Sequence, residues 1–136
     1  MQKTETEVNN LTAGRIDKIF FKKIVQKTLS LVKFCVPQIS IVVVGDAKMK
    51  SLNKQYKKKD RITDVLAFDY GEIIICLTQA KRQAKLLGHS LKKELGILLI
   101  HGLLHLKGYD DQTEQQRQRM TKIQEEIFLK IKNSLR

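Results

Sequence analysis

The pattern of apolar and polar positions predicts helices and strands that follow one another along the chain. Over residues 15–34, apolar side chains recur at helical spacing, opposite a basic face. We interpret this segment as a packing helix, although a helix lying on a membrane surface would show a similar pattern. Pro37 ends the pattern, and the β-branched run 39–44 is apolar on both faces, which predicts a central strand. Residues 1–14 have few apolar positions and predict a loose end or an edge segment.

The middle of the chain predicts a strand, a helix and two further strands. Gly45 and Asp46 offer a turn and an N-cap for a helix over 47–56, and a charged loop over 57–61 precedes a strand over 64–68. A short helical connection between two strands implies that they are parallel and form a right-handed unit. The next strand, 72–77, follows so closely that we expect it to pair antiparallel with 64–68.

Three helices are predicted in the second half of the chain. Each has start or stop signals in the sequence. They are 78–87, capped by Thr78, stopped by Gly88 and facing inward at Ala80, Ala84 and Leu87; 91–106, capped by Ser90; and 113–133, opened by a Thr113/Gln116 capping box. We therefore predict one α+β domain over 1–136. In it, a mixed sheet of three to four strands, one of them antiparallel, packs with about five helices, and the helix 91–106 is buried against the sheet.

The net charge of the chain and its distribution indicate a class of binding partner. The chain has 26 Lys and Arg against 14 Asp and Glu, a net charge of +12, and seven basic residues lie between positions 48 and 61 beside one acid, Asp60. Clustered positive charge favours a polyanion, because neutralising phosphates releases counterions without any need to read sequence. A lysine-rich surface that only maintains solubility would be less clustered.

Cysteine usage and the N-terminus indicate a compartment. Cys35 and Cys76 both lie in apolar stretches, and no CxxC spacing is present, so we expect two reduced, buried thiols rather than a disulfide. No apolar run of eighteen residues occurs, and residues 1–10 lack the apolar centre of a signal peptide. We expect a soluble cytoplasmic protein.

A metal site is predicted near the end of the helix 91–106. His101 and His105 are four residues apart, which places both imidazoles on one helix face, where they can bind one cation. Gly108 can adopt the left-handed conformation that ends a helix, and a sharp turn there could return Asp111 as a third ligand. Alternatively, Asp111 only caps the last helix or faces its dipole.

Two further titratable residues lie close to this motif in the sequence. Glu94 precedes His101 by about two helical turns, and it either supports the metal ligands from behind or complements the dipole at the start of its helix. His89 directly precedes the capping serine, a position more typical of a surface or supporting group than of a metal ligand. We leave His89 out of the predicted ligand set.

The spacing also resembles the zincin peptidase motif, in which a glutamate follows the first histidine, but here that position is Gly102. Without that base, a peptidase is disfavoured. The segment His101 to Asp110 is more similar to the motif His-Gly-x-Leu-His-Leu-x-Gly-Tyr-Asp-His of the YbeY family of bacterial rRNA-maturation endoribonucleases. A second block, Leu52-Asn53 to Tyr56 followed by 63–68, resembles that family's Leu-Asn-x-x-Tyr-Arg and Thr-Asp-Val-Leu-Ser-Phe segments.

The resemblance implies a metal-dependent endoribonuclease, a hydrolase acting on single strands in maturation of the 16S rRNA 3′ end and in ribosome quality control. It implies that His101, His105 and Asp111 hold one zinc ion, with nickel or iron as alternatives, and that this ion polarises a phosphoryl oxygen or delivers hydroxide. Lys57 would steady transition-state charge, and the RNA contacts would come from Lys57, Lys58, Lys59 and Arg61. The expected partners are rRNA and the small ribosomal subunit, without membrane or DNA, and we expect a monomer.

The sequence departs from the family at two functional positions. Lys57 replaces an arginine implicated in RNA cleavage. The lysine keeps the positive charge but lacks the planar guanidinium group, which can bind a phosphate through two hydrogen bonds. Asp111 replaces the third histidine, and its carboxylate cancels about one unit of the metal's charge, so we infer a site of weaker or altered Lewis acidity. The alternative function is a non-catalytic RNA-binding factor in ribosome assembly with a structural metal.

Overall fold

The computed structural model describes residues 4–58 and 63–135 and contains a four-stranded sheet packed with five α-helices. The strands lie in the order β1-β2-β4-β3, and β3 is the only antiparallel strand among them. The predicted α+β class and the mixed sheet are confirmed. The elements are β1 Glu5–Asn10, α1 Lys18–Val32, β2 Gln38–Val44, α2 Asp46–Lys57, β3 Val65–Phe68, β4 Glu72–Cys76, α3 Leu77–Leu87, α4 Leu91–Lys107, α5 Glu114–Ile131 and a final 3-10 turn, Lys132–Leu135.

The predicted parallel pairing across α2 is wrong. The strand parallel to β2 is β4, with Ile41 opposite Ile73, and β3 lies outside β4 in the antiparallel direction, with Ala67 opposite Ile73. The tight turn after β3 decides this, because Gly71 has a φ of 102° and donates its N–H to Phe68 O at 2.9 Å. The antiparallel pairing of β3 with β4 is as predicted, and β1 is the expected edge segment.

Two apolar layers cover the sheet. The larger layer joins α1, α4 and α5 to one face through residues such as Ile24, Leu99 and Ile73, and the smaller layer packs Met49 of α2 against Ile74 and Leu66 on the other face. Helix α4 approaches the sheet closely, since a Cβ added at Gly102 would lie 2.9 Å from Ile73 Cγ2. The prediction that this helix is buried against the sheet is confirmed.

Most predicted helix ends occur where expected. Ser90 Oγ accepts the Lys93 N–H at 3.0 Å, Gly108 ends α4 with a φ of 115°, and Thr113 and Gln116 form the capping box of α5. Two caps differ: Gly45 precedes α2 and Cys76 precedes α3, so neither Asp46 nor Thr78 is an N-cap. The Thr78 hydroxyl instead donates to Asp46 Oδ1 at 2.6 Å.

Asp46 ties the start of α2 to α3. Its Oδ1 and Oδ2 accept two hydrogen bonds from the Arg82 guanidinium, at 2.7 and 2.9 Å. Those bonds, followed by the one from the Thr78 hydroxyl, hold the pKa of the Asp46 carboxyl far below its usual range. The ion pair is therefore fully formed at neutral pH and joins two helices at the carboxyl end of β2.

Two predicted buried side chains are on the surface. Cys35 is exposed, although Cys76 is fully buried as expected. Leu87 is 65% exposed because it is the last residue of α3 and lies beyond Ala80 and Ala84, which are both buried. Within residues 4–58 and 63–135, no helix is long and apolar enough to cross a membrane.

Candidate metal centre

Helix α4 presents the two predicted histidines side by side. His101 and His105 lie one helical turn apart, and their ring centroids are 4.6 Å apart. Their Nε2 atoms approach each other to 3.0 Å. The imidazole edges that could donate to a cation therefore point at the same place.

Asp111 returns to these histidines after the turn at Gly108. Its Oδ2 lies 3.2 Å from His105 Nε2 and 3.5 Å from His101 Nε2. The turn is fixed by the Tyr109 N–H, which donates to Leu104 O at 3.0 Å. Because Thr113 is the N-cap of α5, the alternative that Asp111 caps that helix is wrong. The structure brings together the three residues that the sequence predicted.

The donor atoms fit an ion of the size of zinc. A tetrahedral zinc with ligand distances of about 2.0–2.1 Å has ligand atoms about 3.3 Å from one another. The observed separations of 3.0, 3.2 and 3.5 Å match that spacing. Among the described residues, these three form the one group of His, Cys, Asp and Glu side chains close enough together to hold an ion, and the group offers three ligand atoms. Catalytic zinc sites commonly have three protein ligands, whereas structural sites have four.

Gln124 of α5 orients His101 from behind. Its Oε1 lies 2.9 Å from His101 Nδ1, and because an amide oxygen only accepts, the ring donates from Nδ1 and keeps its Nε2 lone pair for a cation. The sequence analysis missed this residue. A signal existed, since Gln124 is a polar position within the inward stripe of Met120 and Ile127, which are both buried.

We expect Gln124→Leu to weaken divalent-metal binding by about 10- to 100-fold, the usual cost of losing a hydrogen-bond partner behind a ligand. Chelator competition on the purified full chain measures this affinity independently of activity. The matched control is Gln118→Leu, because Gln118 is exposed on the same helix and its side-chain amide donates to Glu114. Equal metal affinities for the Gln124 and Gln118 variants would contradict the assigned role.

A cavity of about 370 Å³ is lined by two of the three candidate ligands, His101 and Asp111. Glu94 lines it and is only 3% exposed, and its carboxylate accepts from His89 Nε2 at 2.6 Å and from Gln83 Nε2 at 2.8 Å. Glu94 thus lies in the first turn of α4 but bonds to His89 and Gln83, not to the candidate ligands. His89 stays outside the metal group, as predicted. The lining residues are Asp64, Leu87, His89, Glu94, Ile97, Leu98, His101, Asp111, Arg117, Met120, Thr121, Gln124 and Glu125.

Of the predicted RNA contacts, the structure describes Lys57 and Lys58. Lys57 ends α2 and its Nζ lies 6.0 Å from the centroid of the Phe68 ring, whereas Lys58 follows in the left-handed conformation. The predicted RNA contacts Lys59 and Arg61 lie outside the described residues. Asp64, just after these residues, lines the cavity together with His101. The contact described for Lys57 is with Phe68 and not with the three candidate ligands.

Gly102 shows why this site lacks the base of a zincin peptidase. The position is buried, and a Cβ there would lie within 3.4 Å of three atoms of the Ile73 side chain. A side chain at this position would therefore point into the sheet and not towards the candidate metal. The structure agrees with the sequence in disfavouring a peptidase.

Comparisons with known proteins show the family of this chain. The family model described as endoribonuclease YbeY matches residues 2–132. Curated proteins of that name include one from Phytoplasma australiense, 35% identical with 92% of this chain and 94% of that protein covered, and one from Persephonella marina, 37% identical with 87% and 86% covered. The solution structure of TM1509 from Thermotoga maritima superposes with a TM-score of 0.64 at 26% identity, covering 96% of this chain and 93% of that one. This chain therefore belongs to the endoribonuclease YbeY family.

Proposed function

We propose that the chain is a metal-dependent endoribonuclease that cuts single-stranded RNA during maturation of the 16S rRNA 3′ end and in ribosome quality control. One observation carries the metal dependence: the Nε2 atoms of His101 and His105 and Oδ2 of Asp111 converge at zinc-ligand spacing beside a cavity. Membership of the endoribonuclease YbeY family supports the reaction type.

His101, His105 and Asp111 would hold one divalent ion, most readily zinc, with nickel or iron as alternatives. When bound, the ion would supply Lewis-acid activation of water and of the phosphate. Asp111 contributes a negative charge where the resemblance suggests a third imidazole, and we infer a weaker Lewis acid for that reason. Gln124 would hold His101 in the tautomer and orientation that a ligand needs.

The basic segment 57–61 would guide the RNA backbone. Lys57 and Lys58 are exposed, and the chain has an excess of twelve positive charges. We assign phosphate contacts to these two residues and also to Lys59 and Arg61, with Lys57 steadying the charge that develops during cleavage. Because these are charge contacts, RNA affinity should fall steeply with salt and depend little on sequence. The proposed partners are rRNA and the small ribosomal subunit, and the proposed oligomeric state is a monomer.

Cleavage of defined RNA by rigorously purified full-length chain tests this proposal. We expect the metal-loaded wild type to cut a single-stranded oligonucleotide with the 16S 3′-end sequence and to spare the same sequence in a duplex. His101→Ala, purified identically, should lose both metal and cleavage. Equal cleavage by wild type and His101→Ala would identify a contaminating nuclease and overturn the proposal.

The second candidate is an RNA-binding assembly factor with a structural metal. If this candidate is right, the metal-loaded wild type binds RNA tightly but does not cut it. The three described donors disfavour it, because structural zinc sites are closed by four protein ligands.

A further inference from the structure

Three aromatic side chains form a continuous stack at the sheet edge. The Phe68 ring lies 5.2 Å from that of Tyr56, nearly edge-on at 70°, and 5.6 Å from that of Tyr70, nearly parallel at 17°. We call Tyr56, Phe68 and Tyr70 the aromatic ladder. Tyr56 is 53% exposed and Tyr70 is 70% exposed, whereas Phe68 is partly buried in the smaller apolar layer. The rings of Tyr56 and Tyr70 are therefore exposed to solvent, and both contact the Phe68 ring, which is held in the smaller apolar layer.

Rigid elements hold each ring of the ladder. Tyr56 comes from the last turn of α2, and Phe68 ends the edge strand β3. Tyr70 lies in the turn that the positive φ of Gly71 makes possible, and its hydroxyl donates to Glu72 Oε1 at 3.2 Å. The contacts with Phe68 and the hydrogen bond to Glu72 restrain the two tyrosine rings, so a partner that stacks on them loses less of its affinity to ordering them.

Positive charge surrounds the ladder. Lys54 and Lys57 lie in the same last turn of α2 as Tyr56, and Lys58 follows directly, with all three exposed. The acids nearest in sequence are Asp69 and Glu72, and the Glu72 carboxylate already accepts the Tyr70 hydroxyl. Exposed aromatic faces flanked by ammonium groups suit single-stranded nucleic acid, whose bases stack on the rings while its phosphates pair with the lysines.

We propose that the aromatic ladder is a stacking platform for the bases of single-stranded RNA, with Lys57 and Lys58 holding the adjacent phosphates. The proposal rests on the proposed function for its choice of RNA as partner. Phe68 of the ladder ends β3, and Asp64, which lines the cavity, directly precedes that strand, so the two residues lie roughly 13 Å apart along the strand at about 3.3 Å per residue.

Binding of single-stranded RNA by full-length chain tests the platform. All measurements carry His101→Ala, so that no strand is cut during titration. Each stacked base contributes about 1–3 kcal/mol, or at least about 5-fold in affinity, so Tyr56→Leu with Tyr70→Leu should weaken binding by about 25-fold or more. Tyr56→Phe with Tyr70→Phe keeps both rings and should bind nearly as wild type. Leu86→Ala removes another exposed apolar side chain, on α3, and should change nothing.

An abasic strand of the same length separates stacking from charge. It carries the phosphates without the bases, so the two-leucine variant should bind it as tightly as the parent does. Lys57→Ala with Lys58→Ala should instead weaken the binding of both the normal and the abasic RNA. Unchanged affinity of the two-leucine variant for normal RNA, or equal losses for normal and abasic strands, overturns the platform. Circular dichroism and urea unfolding of each variant confirm that the fold is retained, and a variant that loses stability but not affinity assigns the ladder a structural role instead.

The outcome also separates this inference from the proposed catalysis. If the metal-loaded wild type cuts no RNA while the two-leucine variant loses affinity for the normal strand alone, the platform stands and catalysis falls. If wild type cuts RNA and the ladder variants bind like their parent, the platform alone falls.

Discussion

Asp111→Ala is expected to lose the divalent ion, with metal affinity falling by more than about 100-fold. Loss of a hydrogen-bond partner behind a ligand already costs about 10- to 100-fold, and here the donor itself is removed. Two imidazoles would remain, with no third donor among the described residues near enough to replace Oδ2. Elemental analysis of the purified chain and chelator competition measure the change.

Asp110→Ala is the matched control, because it removes the adjacent carboxylate of the same turn. Asp110 Oδ1 accepts the Asp111 N–H at 2.9 Å, so its loss loosens the turn without removing a donor, and we expect a much smaller drop in affinity. Asp111→Asn keeps the shape of the side chain but replaces the anionic oxygen by a neutral amide. We expect its metal affinity to be close to that of Asp111→Ala. Full occupancy in Asp111→Ala would remove this residue from the ligand set.

The candidate ligands could be predicted from the sequence because their geometry is local. The spacing of His101 and His105 alone places two imidazoles on one helix face, and Gly108 followed by Asp111 fixes where the chain turns back. Gln124 was missed because it reaches His101 from another helix, and helical periodicity indicates that Gln124 faces inward without saying which helix it meets. Its place between Met120 and Ile127 was the available signal.

The errors in the fold have a related cause. Periodicity identified β3 as a strand, but strand direction depends on which neighbour it pairs with, and β4 occupies the place beside β2 that β3 was expected to take. Leu87 matched the inward stripe of α3 yet lies past its buried part, and Cys35 is apolar in its sequence context but exposed. Local patterns specify which elements form, whereas the ends of elements and their pairing depend on tertiary packing.

Gly102→Glu, which restores the sequence of a zincin peptidase, is expected to destabilise the fold strongly and to create no peptidase. Helix α4 touches the sheet at this position, with a Cβ only 2.9 and 3.2 Å from Ile73 Cγ2 and Cδ1. Overpacking a core costs about 1–3 kcal/mol, and burying an unpaired carboxylate adds several more. Against a total stability of about 5–15 kcal/mol, the sum is large enough to unfold much of the protein.

A series of substitutions separates size from charge in this prediction. Gly102→Ala adds one methyl group that Ile73 must accommodate, offset in part by about 1 kcal/mol of better helix propensity, so its urea midpoint should fall far less than that of Gly102→Glu. Gly45→Ala is the control, since a Cβ there meets nothing within 4 Å. If Gly102→Glu instead folded as stably as wild type and its metal-loaded form hydrolysed an unstructured protein, the glutamate would have to reach the metal, and the packing of α4 on Ile73 described above would be wrong.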